Sequence, residues 1–204
     1  MSYEELINEL KKINNKEQQI EYLFDYLLKN LEYDYLYLEL CKLIKCDKDN
    51  NVCFSDLYEE DLLEETLLNF SKYVDIPEHV KSYFRNKEYE NCPPGQRTNS
   101  PIYENDIIKK GVCLHFSKFI KKVCDDLGID CYVQMGRTPF AHAWNKIQLE
   151  NQWLNYDVTY AIYSRDKYND WNKKSNPQDW FAVSDEELTK LHPEREIDNV
   201  DLKF

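Results

Sequence analysis

Glycine is scarce in this chain, with four residues in 204. Glycine marks backbone positions that other residues resist, or places where something approaches the chain closely. Gly95, Gly111, Gly128 and Gly136 all fall in the middle, which concentrates the special geometry around Cys113. Basic charge is also in deficit. The 26 Lys and Arg residues against 38 Asp and Glu give a formal net charge of −12. That balance excludes nucleic acid and anionic membrane as main partners, since both call for a basic surface. No apolar run approaches the roughly 20 residues of a membrane span. Met1-Ser2-Tyr3-Glu4-Glu5 is acidic and has no apolar stretch behind it, unlike a secretory leader. Seven cysteines, an odd number, read as free thiols in a reducing, cytoplasmic setting. The length suits one domain with a real core, expected over 1–204.

Helical spacing dominates the first third. Ser2 with Glu5 forms a capping-box pattern ahead of Leu6, Ile7 and Leu10. A second helix starts near Lys16, with Ile20, Leu23, Phe24, Leu27 and Leu28 on one face. Tyr33-Asp34-Tyr35 interrupts it, and Leu36 to Ile44 reads as a third. Asp47, Asp49, Asn51 and Ser55 sit at calcium-loop positions, but Val52 replaces the turn glycine and Tyr58 the bidentate glutamate. An ordinary polar loop is expected there, with no metal. Cys41, Cys46 and Cys53 have no second close pair or histidine nearby and read as buried apolar thiols. Leu57 to Val74 and Pro77 to Phe84 read as further helices, and Lys87 to Lys110 as a polar, irregular loop leading to Cys113.

Cys113 opens the stretch that the rest is organised around. Phe116, Phe119, Ile120, Val123, Cys124 and Leu127 recur at three-and-four spacing, and Gly128 closes the helix. The unpaired N–H groups and positive dipole end of a first turn favour a thiolate. A strand over Ile129–Met135, ended by Gly136, follows. His142–Leu149 and Trp153–Thr159 then read as two strands around a tight Glu150-Asn151 turn. Beyond Tyr160 a long polar, aromatic-rich loop is expected, with Trp171 and Trp180 in it. Ser184 and Glu187 cap a last helix, which His192-Pro193 ends.

A cysteine nucleophile needs a base and a group to hold that base. The hairpin offers both by parity. A two-residue turn puts His142, Trp144 and Lys146 on the same face as Trp153, Asn155, Asp157 and Thr159. His142 and Asp157 are then diagonal neighbours, about 7–8 Å apart at the backbone. Ala143, Ile147, Leu149, Leu154, Tyr156 and Val158 fall on the opposite, core face.

These segments resemble the transglutaminase-like group of papain-type thiol enzymes, including small bacterial transglutaminase and protease-like domains. GVCLHFSKFIKKVCDDLGIDCYVQMG, HAWNKIQLENQWLNYDVTY and WFAVSDEEL carry the resemblance, with YLFDYLLKNLEYDY less specific. The resemblance implies an α+β fold, with a nucleophile helix packed on an antiparallel sheet and extra N-terminal helices. Its core would cover about 20–35 and 106–191, leaving about 36–105 as a helical insertion. It implies Cys113, His142 and Asp157 as a triad in that order, acting without a cofactor on a protein or peptide substrate. Trp144, Trp171 and Gln96 are candidates for the substrate cleft. Gln96 is also a candidate oxyanion donor, beside the backbone N–H of Cys113. Hydrolysis of peptide or glutamine-type amide bonds is favoured. Protein cross-linking by an amine acceptor, or a catalytically silent peptide-binding module, are the alternatives.

Overall fold

Ser2 caps α1 (Tyr3–Lys12) reciprocally. Its hydroxyl accepts the Glu5 N–H at 3.2 Å while its own N–H donates to the Glu5 carboxylate at 2.7 Å. Asn15 caps α2 (Lys16–Asn30) by accepting the Gln18 N–H at 2.9 Å. The computed structural model describes residues 1–34, 102–137, 141–167, 175–191 and 196–198. The chain divides into two units, Met1–Tyr33 with Pro101–Phe204 and Asp34–Ser100. The described residues, Asp34 apart, belong to the first. The expected helices between Leu36 and Phe84, the calcium-like stretch and Cys41, Cys46 and Cys53 lie outside the described residues.

The unit is α+β. Strand β1 (Glu32–Tyr33) pairs in parallel with β3 (Ile107–Gly111), which pairs antiparallel with β2 (Ile102–Glu104). Helix α3 (Cys113–Leu127) follows β3 directly. A second sheet, wholly antiparallel, has the order β6 (Gln152–Tyr156), β5 (Ala141–Leu149), β4 (Cys131–Arg137) and β7 (Glu196–Asp198). Helix α3 packs on β5 and β4, burying Phe116, Phe119, Ile120 and Val123. Each such side chain contributes about 1.5–3 kcal/mol when fully buried. Gly128 ends α3 at φ 65°, a left-handed position that a side chain would strain. Helix α1 packs against α3 as well. Among the described residues no helix is long and apolar enough to cross a membrane.

Three expectations are corrected. The stretch before Cys113 is not all irregular: β2 and β3 form a hairpin around Asn105-Asp106, both at positive φ, with Ile107 and Ile108 buried. An Asn-Asp pair suits such left-handed turn positions. Gly136 does not end its strand, since β4 continues to Arg137 and Gly136 pairs with His142. The third concerns the end of the hairpin. Strand β6 stops at Tyr156, and Val158–Asp166 forms a helix, α4, where a strand end and a polar loop were expected. This helix is buried on several sides, Thr159 and Ser164 as well as Ala161 and Ile162, so it carries no polar stripe to betray its period. A short 3₁₀ turn (Pro177–Trp180) and α5 (Asp185–Leu191) complete the described elements.

Candidate active site

Cys113 is the first residue of α3, preceded by an extended Val112, and its side chain is partly exposed. Its N–H has no intrahelical carbonyl to bind, which leaves it as a donor at the mouth of the site. No side-chain oxygen caps this helix. Instead the ring Nδ1 of His115 accepts the Val112 N–H at 3.3 Å, the place a glutamate takes in a capping box. Burial, with Lys118 nearby, lowers the His115 pKa and favours the neutral ring that this bond requires. A Cβ on Gly111 would stand 3.1 Å from His115 Cβ and Nδ1, which gives that glycine its reason.

The hairpin register is as parity requires. Leu149 faces Gln152 across Glu150-Asn151, and Lys146 faces Asn155. Both turn residues have positive φ, 48° and 66°. Asp157 follows β6 as the N-cap of α4, and its carboxylate divides its work. Oδ1 accepts the Tyr160 N–H at 3.0 Å, and Oδ2 meets His142 Nε2 at 2.7 Å. The Asp157 N–H donates to the Trp180 carbonyl at 3.0 Å. Cys113 lies beside the same ring, close enough for its side chain to help raise the imidazole pKa. The structure thus brings Cys113, His142 and Asp157 together.

Burial is severe at the inner end: His142 is 6% exposed and Asp157 1%. Desolvation alone would push the His142 pKa down. The Asp157 charge and hydrogen bond, helped by Cys113, outweigh it and hold the imidazole pKa up to about 10. Tyr160, brought over by α4, meets the imidazole edge-on at 5.1 Å and 78°. Trp144, expected in the substrate cleft, is 2% exposed and stacks with His142 at 5.7 Å and 21°. It braces the base, and so little of it is exposed that it offers a substrate almost no surface. Gln96 and Trp171 lie outside the described residues.

Two further residues have roles that the sequence did not assign. Tyr160 falls just past the strand expected over Trp153–Thr159, and the helix that carries it to the imidazole was not foreseen. Asn155 accepts the Trp144 indole N–H at 2.9 Å and donates to the Val183 carbonyl at 3.0 Å. Parity puts Trp144 and Asn155 on one face, and the structure adds the hydrogen bond between them. Tyr163 and Tyr33 meet edge-on at 4.8 Å, and burial raises the Tyr163 pKa well above its usual value. No protein-family model matches this chain, and no curated protein matches it.

Proposed function

We propose that the chain is a cysteine-dependent acyl-transfer enzyme with a papain-like, transglutaminase-like core, acting on peptide or glutamine-type amide bonds. One observation carries the reading: a buried imidazole held by Asp157 at 2.7 Å, with the Cys113 side chain acting on the same ring. A third group that holds a base beside a nucleophile is the arrangement nucleophilic catalysis needs. A raised imidazole pKa suits a ring that carries the thiol's proton at neutral pH.

In this mechanism the Cys113 sulfur attacks a substrate carbonyl carbon, forming a C–S bond and an oxyanion. The Cys113 N–H at the start of α3 is placed to stabilise that oxyanion. Collapse breaks the C–N bond, and the departing amine takes the proton held by His142. A thioester remains on Cys113. Water then attacks it, giving its proton to His142, and the C–S bond breaks to release a carboxylic acid and restore the thiol. Asp157 keeps the ring oriented throughout and stabilises its charged form.

Trapping with peptide-like electrophiles bearing glutamine or other side chains, followed by mass spectrometry, tests the proposal. Labelling confined to Cys113 and lost in His142→Ala supports it. Labelling spread evenly over the seven cysteines sinks it. Formation of amine adducts in place of acid product would move the assignment to cross-linking.

A further inference from the structure

A run of connected contacts lies behind the imidazole, and the mechanism above does not use it. The Trp144 ring lies near-parallel to His142. Its indole N–H donates to Asn155 Oδ1 at 2.9 Å. The Asn155 amide nitrogen donates to the Val183 carbonyl at 3.0 Å and to Asp185 Oδ1 at 2.9 Å. Lys146 Nζ in turn binds both oxygens of Asp185, at 2.9 and 2.7 Å.

We propose that Asn155 is a positioning residue for the proposed base, fixing the plane of the His142 imidazole through the Trp144 indole. The inference rests on the reading of Cys113 and His142 as a reacting pair.

The amide has one way to sit. Both of its hydrogens face acceptors, a carbonyl and a carboxylate, so the oxygen turns to the indole. Its backbone is pinned as well, because Asn155 and Val183 exchange N–H to carbonyl bonds at 2.8 and 2.9 Å. An aspartate here would set a carboxylate against the Val183 carbonyl and Asp185, and an apolar residue would leave the indole N–H without its acceptor. At 1% exposure Asn155 touches no solvent, so water cannot substitute. A ring hydrogen-bonded at one edge cannot swing about its own axis, and the imidazole stacked on it inherits that restraint. Asp157 and Cys113 act on the edge of the imidazole, where each contact sets a point and not a plane. Trp144 supplies the plane. Tyr160, meeting the ring at 78°, bounds it from another direction.

The test needs no known substrate. Alkylation of Cys113 by limiting iodoacetamide is followed by peptide mass spectrometry from about pH 5 to about pH 9, the range in which imidazole and thiol titrate. Wild type, Asn155→Leu, Trp144→Phe and the double variant are compared, with melting curves recorded for each. Trp144→Phe keeps an aromatic ring but removes the N–H. Each single change slows Cys113 labelling on the acid side on the order of 10–100-fold, the scale of a small misalignment of reacting groups. The double variant is no slower than the slower single, because both remove one interaction. Folded single variants with the wild-type pH profile, or losses that multiply in the double, overturn the inference. If Asn155→Leu does not fold, Trp144→Phe decides the question alone. A wild-type Cys113 that labels no faster than a cysteine in a short peptide overturns the reading beneath it, which is a separate result.

Discussion

Asp157 binds His142 with one carboxylate oxygen and the first turn of α4 with the other. The base is thereby tied to a helix terminus, and the orientation of the imidazole is coupled to the fold where β6 becomes α4. Substitutions at Asp157 separate the two roles. Asp157→Asn keeps an oxygen for the Tyr160 N–H but removes the charge opposite the imidazole. It should lower turnover and Cys113 labelling on the order of 10–10³-fold, less than the 10⁴ typical of a serine triad, because a thiol leans less on its base. Asp157→Ala should lose the cap as well, costing a further ~0.5–2 kcal/mol of stability. Denaturant melts of the two variants check this, and equal stability would show that the cap contributes nothing.

Cys113→Ser should abolish turnover and leave the melting temperature within a few degrees of wild type. The hydroxyl's acidity is too low for a base matched to a thiol. Cys113 is only partly buried, so little packing is lost. Turnover near the wild-type rate would exclude Cys113 as the nucleophile.

The pH dependence of stability has two limbs of opposite origin. The His142 pKa is raised from 6.5 to about 10 on folding. Its contribution is therefore fully present below 6.5 and is lost as pH rises toward about 10. His115 is shifted the other way, so its contribution is present above 6.5 and is lost as pH falls through its lowered value. Melting temperature against pH should decline on the alkaline side in wild type and decline less in Asp157→Asn, where the cause of the upward shift is gone. Parallel curves for the two proteins would detach the imidazole from Asp157.

Inserting one residue between Glu150 and Asn151 should be far more damaging than insertion at most surface turns. Both residues occupy left-handed positions of a two-residue turn, and the pairing of Leu149 with Gln152 depends on it. A one-residue slip turns Asp157 away from His142 and pushes the buried Tyr156 toward water. Labelling of Cys113 at the wild-type rate in that variant would show that hairpin register does not align the pair.

Helix α3 and the β5–β6 register could be read from the sequence alone, because both depend on short-range period. The apolar spacing from Phe116 to Val123 implies one helical face, and a two-residue turn determines which residues share a face of the sheet. Those two local rules suffice to bring His142 within reach of Asp157. The rest was decided by tertiary packing. Helix α4 is buried on several sides, so its period leaves no alternation of polar and apolar residues to read. The start of α4 makes Asp157 a helix cap and carries Tyr160 over the imidazole. The turn at Trp180 and the strand-like contact at Val183 arrive from 23 and 28 residues downstream to meet Asp157 and Asn155. Pairwise contacts at such separations follow from which surfaces exclude water together, a property of the folded chain that no local pattern encodes.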